Sequence, residues 1–342
     1  MKTILIGLGM VADTHIAALA HTNMGIELTG VMGRNPDKAA AFAAKAGETL
    51  GYQVPVVTSL HDIPDVDFAI VATPPDARQD IVATLSAAGV AILMEKPVER
   101  TLDAAQTIVT TCQTAGVPLG VVLQHRARAA SQHLKTLLET ATFGDIATVD
   151  VRVPWWRDQP YYDAPGRGSY ARDGGGVMIN QAIHTLDLAL WLLGPIRHVQ
   201  ALMRTTPLHH LEAEDWAGAL FEMENGACGS LMATTAAFPG GAESIDIQGS
   251  KAGAHLASGV LTVTHLDGRV QQFGAQADTG GGADPMAFTH DWHQTVIEDF
   301  VTCLSTGATP LASGASALEA QRVIDAMERA AKTGTRTKVA AI

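Results

Sequence analysis

Residues 2–21 read KTILIGLGMVADTHIAALAH, and this stretch decides the fold of the first part of the chain. It begins with a short apolar run, typical of a buried parallel strand, and continues into a helical pattern. The motif G-x-G-x-x-A occupies positions 7–12 between them. In such a turn the first glycine permits the tight bend, the second lets the backbone approach a pyrophosphate, and the small third residue allows close helix packing. We therefore predict a dinucleotide site at the start of the helix, formed by Gly7, Gly9, Met10, Val11 and Ala12.

The same alternation of strand and helix repeats through the N-terminal part of the sequence. Further apolar runs lie at 27–32, 66–73, 90–95 and 117–123, and helical patterns separate them at 37–47, 77–89 and 101–116. The runs are apolar throughout, as expected for parallel strands that are covered on both faces. The order predicts a doubly wound α/β sheet, that is, a Rossmann dinucleotide-binding domain over residues 1–123.

The pattern changes after residue 124. Several strand-like segments follow, and ENG at 224–226 and LDG at 266–268 are typical of hairpin turns. Long helical patterns are fewer, at about 176–193, 289–305 and 315–333. Runs of strands joined by hairpins predict an α+β domain over residues 124–342, with an open-faced mixed or antiparallel β-sheet. Its C-terminal helix could pack back on the first domain.

The overall composition excludes several classes of function. A net charge of −12 argues against nucleic-acid binding, because a phosphate backbone requires a basic surface. No window reaches the ~18 uninterrupted apolar residues of a membrane span, so we expect no membrane insertion. The three cysteines lack CxxC or metal-ligand spacing, which predicts reduced thiols in a cytoplasmic protein.

The end of the second predicted strand bears on the choice of cofactor. A carboxylate there usually binds the ribose 2′-hydroxyl of NAD, whereas a nearby arginine accommodates the 2′-phosphate of NADP. The strand ends in Met32-Gly33-Arg34-Asn35 without an acidic residue, and Asp37 is expected to cap the next helix. We predict a preference for NADP, with Gly33 and Arg34 at the cofactor, and NAD as the alternative.

Two further stretches place polar groups in apolar surroundings. Glu95-Lys96-Pro97 follows a buried strand at the carboxyl edge of the sheet, where open α/β sheets bind their ligands, so Lys96 is a candidate base. Residues 177–194 read VMINQAIHTLDLALWLLG, and their i, i+4 and i+7 spacing places three polar side chains on one helix face: Asn180, His184 and Asp187. The alternatives are a lysine that extends into solvent and a polar ladder that is satisfied within a core.

Several of these motifs occur together in one known family. The chain resembles the Gfo/Idh/MocA oxidoreductases in GLGMVA, VATPPDAR, AGVAILMEKP, the turn FGDI and GGGVMINQAIHTLDLALWLLG. The resemblance implies a Rossmann domain followed by an open-faced sheet domain for substrate binding and oligomerisation, giving a homodimer or homotetramer. It also implies NAD(P)-dependent oxidation of a hydroxyl, or reduction of a carbonyl, on sugars, cyclitols and related compounds.

The resemblance also assigns roles to particular residues. Lys96 matches the lysine that touches substrate and nicotinamide, and His184 matches the histidine next to the reacting oxygen. Asn180 stands where many members carry an aspartate, and because an amide cannot take a proton, the acid or base is His184 or Lys96. Arg78 and Ala91 are further departures, at positions where many members have histidine. The cofactor-binding set is extended by Thr73, Pro74, Pro75, Glu95 and Lys96.

The segment at 155–176 concentrates aromatic and arginine side chains. Aromatic faces stack on sugar rings and arginines bind carboxylates, so the segment could favour an acidic substrate; a rigid loop or a dimer-packing arm is the alternative. His125 and Arg126 follow the last strand of the first domain and could face the substrate or pack between the domains. The substrate-binding candidates are therefore Lys96, His125, Arg126, Trp156, Arg157, Arg167, Asn180 and His184.

The remaining histidines receive minor roles. His290 and His293 in THDWH have i, i+3 spacing, but no HExxH motif or cysteine partner supports a metal, and hydride transfer needs none, so no metal is expected. His293 could instead reach the substrate. The pair His209-His210 is expected to lie in a solvated loop.

These observations combine into an expected reaction. The nicotinamide C4 would face a carbinol carbon between the domains, Lys96 and His184 would share the acid/base and oxyanion-stabilising roles, and Asn180 would fix the hydroxyl. Asp187 would orient His184, or turn outward to cap or to form a salt bridge. The substrate could be a sugar, a sugar acid, a cyclitol, or a dihydrodiol or hemiacetal of an aromatic acid. The alternatives are an NAD-dependent glycosidase and a non-catalytic NAD(P)-binding sensor.

Overall fold

The computed structural model describes residues 1–277, 281–282 and 286–340. The α-helices are α1 (Ala12–His21), α2 (Pro36–Leu50), α3 (Arg78–Ala87), α4 (Leu102–Ala115), α5 (Ala129–Glu139), α6 (Gln159–Asp163), α7 (Ile183–Leu193), α8 (Asp291–Thr306) and α9 (Gly314–Thr333). The strands are β1 (Lys2–Ile6), β2 (Glu27–Met32), β3 (Phe68–Val71), β4 (Ala91–Glu95), β5 (Leu119–Val122), β6 (Ile146–Pro154), β7 (Ile196–Arg204), β8 (Trp216–Met223), β9 (Cys228–Thr234), β10 (Ser244–Gly249), β11 (Ala252–Ala257), β12 (Val260–His265), β13 (Val270–Gly274) and β14 (Thr337–Lys338).

The chain divides into two compact units. The first comprises Met1–Glu99, Asp103–Gln124 and Thr289–Ala317, and the second comprises Arg100–Leu102, His125–Phe288 and Leu318–Ile342. The first unit therefore includes a segment from near the C-terminus, whereas the predicted division is a single boundary between residues 123 and 124. Among the described residues, no helix is long and apolar enough to cross a membrane.

The first unit is built on a parallel five-stranded sheet in the order β2-β1-β3-β4-β5, which confirms the predicted Rossmann domain. Its strands β3, β4 and β5 are buried at every position, because helices cover both faces of such a sheet. The connection order reverses between β1 and β3, and parallel α/β sheets bind ligands at the carboxyl ends of strands beside such a switch point.

Two predicted details of helix α2 are wrong. The helix does not end at Gly47: it continues to Leu50, and Gly51 then takes a left-handed φ of +79° and donates its N–H to the Gly47 carbonyl. The helix is capped by the Asn35 side chain, which accepts from the Lys38 amide, and Asp37 lies inside the first turn. Glycine is common just after the end of a helix, so Gly47 and Gly51 were both possible ends for α2. Only Gly51 adopts the left-handed conformation that ends the helix.

The second unit is a nine-stranded sheet in the order β13-β12-β11-β10-β6-β9-β8-β7-β14. Its neighbours pair antiparallel except β6 and β9, which are parallel, so the prediction of a mixed open-faced sheet is confirmed. Alternate strand residues pack into one apolar core with side chains of α5, α7 and α9. The ENG turn joins β8 to β9 as predicted, with Gly226 at a φ of +89°.

The polar helix is not a continuous α-helix, contrary to the prediction for about 176–193. It begins with a π-helical turn at Met178–Ala182 and becomes α7 only at Ile183. A π-turn uses i→i+5 hydrogen bonds and holds an extra residue, so the angular spacing assumed for an α-helix does not apply between Asn180 and His184. Such turns occur frequently at functional sites.

Candidate active site

The glycine turn after β1 has the geometry that a dinucleotide site requires. Gly7 adopts a φ of +101°, and an added Cβ would lie 2.5 Å from the Ala72 carbonyl carbon and from the Thr73 nitrogen, so only glycine fits. A Cβ at Gly9 would meet nothing within 4 Å, which leaves the main chain open to a ligand. Ala12 is completely buried where α1 meets the sheet. The residues present therefore fit a bound pyrophosphate at the start of α1.

The other cofactor candidates follow neighbouring strands at the same edge of this sheet. Gly33 and Arg34 come directly after β2, and the Arg34 side chain is exposed to solvent. Thr73, Pro74 and Pro75 follow β3, and Pro75 begins a short 3₁₀ turn that leads into α3. These positions lie around the switch point of the sheet, where a nucleotide is expected.

Glu95, at the end of β4, is held by two buried histidines, which no sequence motif connects with it. The Nε2 atoms of His15 and His293 lie 3.0 Å and 3.6 Å from Glu95 Oε1. Burial alone would raise the pKa of Glu95, but the hydrogen bonds from both histidines hold it well below its ordinary value. Burial lowers the pKa of His293, and its bond to Glu95 opposes that effect. The Lys96 candidate thus follows a carboxylate that is fixed in place.

The same three side chains offer the donor types of a metal site, since the ligand atoms of His15, Glu95 and His293 all lie within 4.8 Å of one another. The 3.0 Å separation of His15 and Glu95 is that of a direct hydrogen bond. The buried Nδ1 of His15 also has no hydrogen-bond partner among the described residues, whereas metal-bound histidines generally donate from their second nitrogen. We therefore interpret the cluster as a hydrogen-bonded network. His290 is not one of these three residues, and its ring contacts that of His21, with centroids 4.4 Å apart and planes tilted by 39°.

In the second unit, the start of the polar helix is fixed by Glu214, which was not among the predicted site residues. The Glu214 carboxylate accepts from the amides of Gly176 at 3.1 Å and Met178 at 3.0 Å. The Asn180 amide group donates to the carbonyls of Gly175 at 2.8 Å and Gly176 at 3.1 Å. Burial raises the pKa of Glu214, and the two backbone donors oppose this. No local pattern marks Glu214, because it approaches the helix from a distant loop.

His184 stacks on His125, with ring centroids 5.0 Å apart and planes 28° from parallel. Both rings are buried. His125 is in turn 2.6 Å from a guanidinium nitrogen of Arg128, which forms an ion pair with Glu243 at 2.6 Å. The structure therefore brings the predicted residues His125 and His184 together, and it adds Arg128 and Glu243 behind them.

Asp187 neither turns outward nor caps the helix. It is completely buried and forms a bidentate ion pair with Arg126. The distances are 2.8 Å from Nε to Oδ2 and 2.6 Å from Nη2 to Oδ1. Of the alternatives in the sequence analysis, the salt bridge is present, but it is directed inward. Arg126, a substrate-binding candidate, uses this part of its guanidinium to anchor α7.

The aromatic and arginine segment is largely bound to itself. Arg157 is buried, donates to the carbonyls of Trp156 and Gly282, and stacks on Tyr161 at 5.6 Å. Arg167 donates to the Tyr161 hydroxyl at 3.1 Å and lies over its ring. These contacts rigidify the segment.

The prediction of a solvated loop is wrong for His209. Its Nδ1 is 2.7 Å from Asp215 and its Nε2 is 2.8 Å from the Arg157 carbonyl. The ring is buried and contacts Trp156, with centroids 5.8 Å apart. Both ring nitrogens therefore have partners inside the fold, which explains why a histidine is buried there. His210, the next residue, is exposed as expected.

Both parts of the chain match known protein families. Residues 1–123 match the oxidoreductase family with an NAD-binding Rossmann fold, and residues 131–255 match the GFO/IDH/MocA C-terminal domain. The chain belongs to the Gfo/Idh/MocA oxidoreductase family. It is an enzyme of the oxidoreductase class, as the sequence predicted.

Relatives extend over the whole chain. D-apiose dehydrogenase of Rhizobium rhizogenes is 25% identical, covering 100% of this chain and 98% of that protein. Inositol 2-dehydrogenase of Rhizobium meliloti is 23% identical, covering 95% of each. The solved structure of the WlbA dehydrogenase from Bordetella pertussis, in complex with NADH and UDP-GlcNAcA, is similar with a TM-score of 0.83 and 29% identity, covering 100% of this chain and 99% of that one. The family, fold and oxidoreductase class are therefore established.

Proposed function

We propose that the protein is an NAD(P)-dependent dehydrogenase or reductase acting on a carbinol or carbonyl carbon of a sugar, sugar acid or cyclitol. The main observation in support of this function is the arrangement of residues at the carboxyl edge of the first sheet. There an open glycine turn follows β1, and Glu95, anchored by His15, immediately precedes Lys96. The full-length relatives named dehydrogenases of a sugar and of a cyclitol support the substrate class.

The cofactor, when bound, exchanges a hydride with the substrate carbon. Gly7, Gly9 and the amides of Met10 and Val11 would hold its pyrophosphate, while the Ala12 amide donates to the Gly9 carbonyl and closes the turn. Gly33 and Arg34 would bind the adenosine ribose, and the 73–75 segment and Glu95 would lie along its nicotinamide half. We expect NADP to be preferred, because no carboxylate ends β2 while Arg34 is exposed beside that position.

The remaining chemistry is a proton transfer at the substrate oxygen. Lys96 and His184 would share the roles of acid/base and oxyanion stabiliser, and such general acid–base help is worth about 10²–10⁴-fold. Asn180 cannot carry the proton, so it would only position the substrate. The stacked ring of His125 and the ion pair of Arg126 would keep the His184 surface rigid.

The segment around Trp156 would contribute stacking to a substrate ring. Its arginines are engaged by neighbouring carbonyls and by Tyr161, which weakens the argument for an exclusively acidic substrate. The similar WlbA dehydrogenase was solved in complex with UDP-GlcNAcA, so acidic sugars are also included among the substrates to be tested. We also propose that the protein is a homodimer or homotetramer, assembled through the open face of the second unit's sheet.

The direct test is a spectrophotometric screen of NADP⁺ and NAD⁺ reduction across matched neutral and acidic sugars and cyclitols. On the best substrate, Lys96→Ala and His184→Ala should each lower kcat by at least about 10²-fold. His255→Ala, an exposed histidine paired with Asp246, is the control and should retain wild-type activity. If both active-site variants kept kcat within about threefold of wild type, the mechanism would be wrong.

The same screen separates the two alternative functions. Glycoside hydrolysis without net cofactor reduction would identify the glycosidase alternative, and cofactor binding without turnover would identify the sensor.

A further inference from the structure

Arg78, the first residue of α3, holds a buried charge in an unusual way. Its side chain is 2% exposed, and every hydrogen bond of its guanidinium among the described residues ends on a main-chain carbonyl oxygen. Burial lowers its pKa to about 10, with Glu95 as the largest opposing charge. A buried cation is costly unless it is well bonded, so these carbonyl contacts have to compensate for the loss of water.

The carbonyls that Arg78 contacts belong to two segments with proposed functions. Nε and Nη2 donate to the Thr73 carbonyl at 3.1 Å and 2.7 Å, at the end of β3. Nη1 donates to the carbonyls of Glu95 and Pro97, the two residues on either side of Lys96. One side chain therefore joins the cofactor-binding segment after β3 to the main chain around Lys96.

Arginine suits this task better than the alternatives. A guanidinium offers five donors in a rigid plane, so it can bond two segments in different directions at once. A lysine ammonium would act as a point charge on a flexible stem, and a histidine ring has two donors at most.

We propose that Arg78 is a positioning residue, which fixes the main chain on both sides of Lys96 and couples it to the Thr73 segment. This inference rests on the proposed function, because it gives Arg78 its effect through Lys96. Misplacing a reacting group by about 1 Å can cost about 10²-fold in rate. Loosening the Lys96 main chain should therefore lower kcat more than it weakens substrate binding.

A double-mutant cycle tests the proposal with wild type, Arg78→Ala, Lys96→Ala and the double variant. Arg78→Ala should lower kcat by about 30- to 100-fold, with the substrate KM changed by less than about threefold. Added guanidinium chloride should restore part of that loss. In the Lys96→Ala background, Arg78→Ala should change kcat by less than about twofold, since the residue through which it acts is gone. Arg78→Lys serves as a second variant if Arg78→Ala does not fold, and should also show the kcat loss.

The control is Arg322→Lys, at another buried arginine, which lies in α9 and should keep wild-type kcat. Effects of Arg78→Ala and Lys96→Ala that multiply would overturn the proposal, because Arg78 would then act independently of Lys96. Wild-type kcat in Arg78→Lys and Arg78→Ala would overturn it as well. If Lys96→Ala alone kept full activity, the proposed role of Lys96 would fail, and this outcome is distinct from a failure confined to Arg78.

Discussion

The buried ion pair of Arg126 and Asp187 has a large expected effect on stability. Both side chains are nearly inaccessible to solvent, so removing the negative partner leaves a cation buried without its charge partner. We expect Asp187→Asn to lower the free energy of unfolding by about 3 to 5 kcal/mol, measured by urea denaturation. The control is Asp246→Asn, which breaks the exposed pair with His255 and should change the free energy by less than about 1 kcal/mol. Equal effects of the two substitutions would contradict this interpretation.

The proposed preference for NADP rests on Arg34. An arginine that binds the 2′-phosphate contributes to NADP affinity and has no corresponding group to bind in NAD. Arg34→Ala should therefore raise the Kd for NADPH by about tenfold and change that for NADH by less than about twofold, measured by fluorescence titration. A wild-type protein that binds NADH at least as tightly as NADPH would show that the preference was predicted wrongly.

At the residue scale, sequence patterns identified positions but not partners. Asp187 stood out because a carboxylate is rare in an apolar helix, yet its partner Arg126 comes from a segment 61 residues away. The pair His209-His210 was predicted to be solvated, but His209 is buried, and its burial depends on Asp215 and on the Arg157 carbonyl. Contacts of this kind arise only when distant segments pack together, so no local spacing reveals them.

In the turn between β1 and α1, the fold requires a glycine at position 7, whereas cofactor binding is expected to require one at position 9. A methyl group at Gly7 would collide with the main chain at Ala72, whereas one at Gly9 would meet open space. Gly7→Ala should lower the thermal midpoint by several degrees, because the strain costs about 1 to 3 kcal/mol. Gly9→Ala should leave the midpoint nearly unchanged but weaken cofactor binding, measured by calorimetric titration. Unchanged cofactor affinity in Gly9→Ala would argue against a pyrophosphate at this turn.

At the element scale, the sequence predicted well those elements that depend on local periodicity. The five buried strands of the first unit were recognised because each is a short apolar run followed by a turn. The π-helical turn at Met178–Ala182 was not, because it depends on Glu214, which binds the amides of Gly176 and Met178 from another part of the chain. A Cβ at Gly176 would lie 1.7 Å from the Glu214 carbonyl oxygen, so this close approach also explains the glycine.

At the scale of the whole molecule, the order of elements along the chain did not reveal which residues belong to the first unit. Residues 289–317 belong to this unit although they come after eight of the nine strands of the second unit's sheet and before the last, β14. The reason is packing: Phe300 of α8 lies against Gly120 of β5, where a Cβ would be 2.7 Å from its ring, and it meets Phe68 edge to face at 5.8 Å. Gly120 thus provides the space for a ring that is 180 positions later in the sequence.

The proposed assembly depends on the uncovered face of the second unit's sheet. Leu202 of β7 and Leu220 of β8 point away from the core and are 46% and 65% exposed. Aligned across the strands, Leu202, Gly218 and Met232 form one row of this face, and Gln200, Leu220 and Ser230 form the next. An exposed apolar patch of this kind is typical of an interface between subunits.

We expect Leu220→Arg to shift the wild-type oligomer toward smaller species in light scattering coupled to size-exclusion chromatography, because the interface would bury an unpaired charge. Leu266→Arg is the matched control: Leu266 is 79% exposed in the turn between β12 and β13, so the same substitution there should leave the mass unchanged. The thermal midpoint of either variant, measured at a concentration where it is monomeric, reports on the fold separately. A wild-type mass for Leu220→Arg would place the subunit interface elsewhere, and a monomeric wild type would remove the assembly proposal altogether.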